Sequence, residues 1–98
     1  MALVPAAYPK FNRIKKKLPD PLRREVDRQV EIICEQPAVG EPKVGDLKGV
    51  RVQKFSYLGQ VYLLAYLVDE ERGAVYLLAI GGHENFYRDL KSYLRRSG

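Results

Sequence analysis

Apolar residues change their spacing twice along this chain, and the changes separate two helices, a set of strands and a last helix. From Pro9 to Leu18, Phe11, Ile14 and Leu18 recur at intervals of three and four, which predicts a short helix with one buried stripe, closed by Pro19. Asp20-Pro21 predicts the start of a longer helix reaching about Glu35: the Asp carboxylate can accept from free backbone N–H groups, and Pro fits the first turn. Leu22, Val26, Val30 and Ile33 form its apolar stripe. Gln36 to Gly49 carries Pro37, Gly40, Pro42, Gly45 and Gly49, so it reads as a connection.

After that connection the period shortens to two. Val50–Tyr57, Val61–Val68 and Ala74–Ile80 are rich in Val, Tyr, Leu and Phe, and their short polar or Gly-bearing links predict antiparallel hairpins. The middle run is apolar on both faces, with Val61, Leu63, Ala65 and Leu67 on one and Tyr62, Leu64, Tyr66 and Val68 on the other. That suits a central strand covered on each side. Gly81-Gly82 ends the third run, and Phe86, Leu90 and Leu94 then repeat every four residues through a helix to about Arg96. The predicted class is α+β in the order α-α-β-β-β-α. A helical hairpin packs on one face of a small antiparallel sheet of three strands, or four, and a C-terminal helix follows.

A chain of 98 residues with 46% apolar content fits one domain, residues 1–98. Seventeen Lys and Arg against twelve Asp and Glu leave a net charge of +5, which favours polyanionic partners. The single cysteine, Cys34, and the lack of a Cys/His cluster exclude an internal disulfide and a metal site of the usual kind, so a reducing, cytosolic setting is expected. The longest apolar run has eight residues, far below the roughly 20 that cross a bilayer. Met1-Ala2-Leu3-Val4-Pro5 has no basic residue ahead of its apolar ones and does not read as a secretory signal.

Lys10, Arg13, Lys15, Lys16 and Lys17 fill the polar positions of the first helix with no acid among them. They form either a solvated face or a patch for a polyanion. The mixed charges of the second helix read as structural, and Cys34 as a core or boundary residue, since nothing beside it would lower its pKa. Lys48, Arg51 and Lys54 lie in or just before the first strand. Strict alternation puts Arg51 and Lys54 on opposite faces, and the apolar phase shifts from Val50 and Val52 to Phe55 and Tyr57, which a bulge near Gln53 or Lys54 would produce. Ordinary solvated strand charges are the alternative.

No Gly-x-Ser-x-Gly, Walker-type or His-Glu-x-x-His motif is present. What remains is one histidine, His83, just past a strand end, with Glu84 beside it and Tyr87 one helical turn on. His83 or Asn85 can instead cap the last helix, and Tyr87 can be plain core.

The basic helical hairpin, Asp46-Leu47-Lys48-Gly49 ahead of a strand, the Tyr62-Leu63-Leu64-Ala65-Tyr66 strand and the ending Ile80-Gly81-Gly82-His83-Glu84-Asn85-Phe86-Tyr87 together resemble the RelE/ParE superfamily of type II toxin–antitoxin toxins, over about Phe11 to Leu94. The resemblance implies a small cytoplasmic toxin that cleaves messenger RNA in the ribosomal decoding site, needs no metal or cofactor, and is held inactive by a cognate antitoxin in a binary or higher-order complex. Carried across position by position, it implies Arg51 and Lys54 as phosphate-holding cations with Lys48 just upstream, and His83 and Tyr87 as the proton-handling pair. Lys15, Lys16 and Lys17 are the further RNA-binding candidates. The RNA's own 2′-hydroxyl is the nucleophile, so the protein need only move protons and stabilise charge.

Two departures accompany it. These toxins commonly read Tyr-Arg-Leu in the central strand, the Arg contacting the scissile phosphate, whereas this chain has Tyr62-Leu63-Leu64. Their N-terminal strand is also hard to find in Ala2-Leu3-Val4-Pro5, which is short and broken by Pro. Three functions therefore stand: a ribosome-associated endoribonuclease, a non-enzymatic inhibitor of DNA gyrase of the ParE kind, and a nucleic-acid-binding homologue that has lost catalysis. The first requires Arg51, Lys54 and His83 to gather over one concave patch.

Overall fold

The computed structural model describes residues 2–97. Its elements run β1 (Val4–Ala7), α1 (Pro9–Lys16), α2 (Asp20–Glu35), β2 (Glu41–Pro42), β3 (Arg51–Tyr57), β4 (Gln60–Asp69), β5 (Ala74–Gly82) and α3 (Phe86–Ser97), with single 3-10 turns at Pro37–Val39 and Gly45–Leu47. The sheet order is β1-β5-β4-β3-β2; β1 lies parallel to β5 and every other pairing is antiparallel. The class is α+β as the periodicity predicts, but the sheet is mixed and has five strands. No helix among the described residues is long and apolar enough to cross a membrane.

The two added strands come from segments that carry no strand signal of their own. β1 contains Pro5, yet Val4 and Tyr8 donate their N–H groups to Gly73 and Leu77, which points the missing N–H of Pro5 away from β5. A proline of that parity costs the ladder nothing. β2 is two residues of the Pro- and Gly-rich connection, held by pairing Glu41 with Val52 and Pro42 with Arg51.

β4 sits at the centre and is covered on both faces, as its double apolar pattern demands. On one side α1 and α2 bring Phe11, Leu22, Val26 and Ile33 against Leu64, Tyr66, Phe55 and Val75; on the other α3 brings Phe86 and Leu90 against Leu63, Leu78, Val50 and Val52. These two covers explain the phase change in β3. Val50 and Val52 lie under α3, Phe55 and Tyr57 pack with the helical hairpin, and the pairing of β3 with β4 runs unbroken from Arg51 to Tyr57. The predicted bulge in β3 is absent. The bulge lies in β5: Tyr66 pairs with Leu77 and Ala65 with Ala79, so Leu78 is the extra residue and turns into the α3 side.

α2 spans Asp20 to Glu35 as predicted, but the Asp20 carboxylate does not cap it. It pairs with Arg23 one turn along, and Pro19 holds the cap position. Cys34 is buried in the core beneath this helix. Its thiol is pushed up by burial and by Glu35, the reverse of what a nucleophile needs.

Candidate functional site

The passage from β5 to α3 is a sharp turn in which Asn85 takes a left-handed conformation at φ 61°, a region Asn tolerates better than other non-glycine residues. Phe86 donates its N–H to the His83 carbonyl at 3.4 Å and Asp89 to that of Asn85 at 3.0 Å. Neither the His83 nor the Asn85 side chain hydrogen-bonds to the helix start among the described residues, so both remain at the surface.

The turn sets the His83 ring edge-on to Tyr87, with centroids 6.4 Å apart and planes at 84°. Tyr87 is half-buried: its ring packs edge-to-face on Phe86 at 5.5 Å and rests on the core under α3. Over that ring, at 4.9 Å from its centroid, stands the ammonium of Lys43, which also reaches Glu41 Oε1 at 3.3 Å. The bond with Tyr87 foremost, helped by Glu41, holds the Lys43 ammonium above its ordinary value despite some desolvation. Lys43 follows directly on β2, and its N–H donates to the Val50 carbonyl at 2.9 Å, so a short edge strand delivers it to the α3 side. Nothing in the Pro/Gly-rich connection marks Lys43 as functional; only pairing with β3 brings it there.

The remaining candidates divide between the two sides of the sheet. Lys54 is exposed and pairs across the ladder with Leu63, which pairs with Gly81, so it leaves the sheet on the α3 side. Arg51 pairs with Tyr66, whose ring lies in the core under α2, and so faces the other way. Its guanidinium donates to the carbonyls of Gly40 at 2.7 Å and Ala38 at 3.3 Å. Tyr66 completes that clasp: its hydroxyl donates to Pro37 O at 2.7 Å and accepts the Gly40 N–H at 2.8 Å. Arg51 thus holds a loop on the far side of the sheet and does not join His83, contrary to the sequence expectation. The odd spacing of Arg51 and Lys54 with no bulge between them is the reason.

Lys48 is exposed in the loop beyond the second 3-10 turn. Lys15, Lys16 and Lys17 belong to α1 and its C-cap, in the layer opposite α3; Lys15 is ion-paired with Asp27. Leu63, at the place where the resemblance would put a phosphate-binding Arg, is fully buried beneath Phe86 and Leu90.

The α3 side therefore presents an imidazole against a phenol, one ammonium over that phenol's ring and a second on the same side. Such a set can move a proton and offset a developing anion. Among the described residues no three of His, Cys, Asp and Glu lie close enough to hold a metal ion.

Comparison with known proteins gives this arrangement its context. Residues 6–91 match the family described as ParE-like toxin of type II bacterial toxin–antitoxin system. No curated protein sequence matches the chain. Among solved structures it is similar to a double mutant of the E. coli toxin RelE in the free state, with TM-score 0.77, 19% identity, and coverage of 97% of this chain and 98% of that one. It is likewise similar to the intact E. coli RelBE toxin–antitoxin complex, with TM-score 0.71, 20% identity and coverage of 85% and 99%. The RelBE2 toxin–antitoxin complex of Mycobacterium tuberculosis gives TM-score 0.71, 22% identity and coverage of 85% and 100%. At these identities the likeness is one of fold. The family match, however, runs from within β1 into α3 and takes in the sheet, both covers and the His83–Tyr87 turn: the chain belongs to the ParE-like toxins of type II bacterial toxin–antitoxin systems.

Proposed function

We propose that this toxin is a metal-independent endoribonuclease that cleaves messenger RNA on the ribosome in the cytoplasm, with a cognate antitoxin as its partner. The antitoxin is supported by the family and by the toxin–antitoxin complexes among the similar structures. The observation that carries the nuclease reading is the contact of His83 with Tyr87, crowned by Lys43, on the side of the sheet from which Lys54 also emerges.

The chemistry uses groups present in the chain and in the RNA. A 2′-hydroxyl attacks the adjacent phosphorus and gives its proton to His83; the new bond from O2′ to phosphorus forms as the bond to the 5′-oxygen breaks. Tyr87 orients the substrate, and the leaving 5′-oxygen takes a proton from the imidazolium, giving a 2′,3′-cyclic phosphate and a free 5′-hydroxyl. Lys43 and Lys54 offset the charge that grows on the phosphoryl oxygens, in place of the Arg that Leu63 replaces. Arg51 has no part in the step: it lies on the far side of the sheet, so the requirement that it gather with His83 fails, and the reading rests instead on Lys43 and Lys54 on the α3 side with the His83–Tyr87 pair.

Primer extension on a message from cells expressing the protein tests the reading. Cleavage stops within the translated frame, lost in His83→Ala, are expected. Growth arrest with an intact message at the same dose would sink it.

One observation favours a second reading. Leu63 is 0% exposed and sealed under α3, so no guanidinium can reach a phosphate from that position without unseating the helix. A ParE-like inhibitor that binds DNA gyrase and needs no proton transfer fits that fact. It predicts toxicity that survives His83→Ala and Tyr87→Phe, together with accumulation of cleaved or relaxed DNA.

A further inference from the structure

Between α1 and α2, in the layer opposite His83, runs an open groove of about 590 Å³ lined by Lys15, Lys16, Arg23 and Arg24, with Asp20 and Asp27 the only acids. Both acids are engaged, Asp27 by Lys15 across the two helices and Asp20 by Arg23 within α2. Lys16 and Arg24 are exposed and have no ion-pair partner among the described residues. Arg13 and Lys17 extend the same charge along α1, also exposed. Two cations thus remain free in a groove whose two acids are already ion-paired.

We infer that this groove is a second nucleic-acid site, which grips a phosphodiester backbone by charge and reads no base. The lining carries that choice. It offers no aromatic or large aliphatic side chain, so a base has nothing to stack on and an amphipathic protein helix has no apolar pocket to fill. An acidic peptide would be held by exposed ion pairs alone, each contributing at most about 1 kcal/mol. A nucleic-acid backbone differs because its charge density condenses counterions, and each phosphate neutralised releases them to solution. Unpaired Lys and Arg lining one groove of the helical hairpin suit that ligand best. The groove is lined by α1 and α2 alone, and neither His83 nor Tyr87 belongs to its lining.

The test is a salt series of binding constants for the full-length toxin, with a single-stranded RNA made uncleavable by 2′-O-methylation, the matching duplex DNA, and a polyglutamate peptide as probes. For the RNA, Lys16→Gln with Arg24→Gln is expected to flatten the slope of log K against log salt by about 1.4, two phosphate contacts at roughly 0.7 each. The charge-preserving pair Lys16→Arg with Arg24→Lys keeps the slope, and circular dichroism of both pairs confirms that the helices stand. Comparison of RNA with duplex DNA identifies whose backbone is bound. An unchanged slope in the Gln pair, or polyglutamate binding tighter than either nucleic acid, overturns the inference. Loss of message cleavage in His83→Ala is read separately, so a failed groove and a failed nuclease are told apart.

Discussion

Arg51 and Lys54 stand three residues apart on β3 and leave the sheet on opposite faces, the first into a clasp of loop carbonyls and the second into solvent on the α3 side. Two cations that look equivalent in the sequence therefore have different work, and substitution separates them. Arg51→Ala removes two charge-assisted hydrogen bonds and is expected to lower stability by about 1–3 kcal/mol, read as an earlier thermal or urea transition. It leaves RNA cleavage by the folded fraction intact. Lys54→Ala should leave the melting curve unchanged and slow cleavage by about 10²-fold. The reverse pattern would return Arg51 to the site.

Tyr66 is the second half of the clasp, with its hydroxyl spent on Pro37 and Gly40. Tyr66→Phe strands a loop carbonyl and a backbone N–H and is expected to cost about 1–3 kcal/mol. Burial, partly offset by the Gly40 N–H and by Arg51, holds the phenol above its ordinary value of 10.0. Because the folded value is the higher one, the stability it contributes is whole below about pH 10 and is lost as pH rises through the folded value. The alkaline end of the stability profile should therefore fall less steeply in Tyr66→Phe than in wild type.

Gly40 has an ordinary extended backbone, and its constraint is one of space. A Cβ there would lie 2.5 Å from the Tyr66 hydroxyl and 2.8 Å from its ring. Since Tyr66 is fully buried, the ring cannot retreat, and Gly40→Ala is expected to destabilise by about 1–3 kcal/mol. Equilibrium denaturation measures it; a neutral result would mean that the 37–40 loop shifts freely over the sheet.

Leu63→Arg would restore the residue commonly found at that place in the superfamily, yet no gain of activity is expected. The position has no exposure and lies in the apolar cluster with Leu78, Ala65, Phe86 and Leu90. An unpaired buried guanidinium costs about 3–5 kcal/mol, so the variant should unfold or release α3. Limited proteolysis within α3 distinguishes these outcomes from a quiet accommodation, which would show that the helix is only loosely seated.

Much of the frame was legible because burial on a regular element leaves a period. Leu22, Val26 and Ile33 announce the stripe of α2, and Leu63 against Leu64 announces a strand covered twice. β1 and β2 were not legible, because four residues with a proline and two residues inside a loop become strands only when β5 and β3 supply the partner ladder. The phase change in β3 was visible but ambiguous: a bulge and a second cover produce the same pattern of apolar residues, and α3 decides between them.

The linear order of residues by itself determined the α+β class, the helical hairpin, the central strand and the nearness of His83 to Tyr87, since all of these follow from contacts within a few residues or from a local period. Tertiary structure alone decided which cations keep company with that pair. It withdrew Arg51 to the α2 side, carried Lys43 in on an edge strand 40 residues before His83, and sealed Leu63 under α3. Side chains from separate strands meet only through register and layer order, and no local pattern of hydrophobicity encodes either.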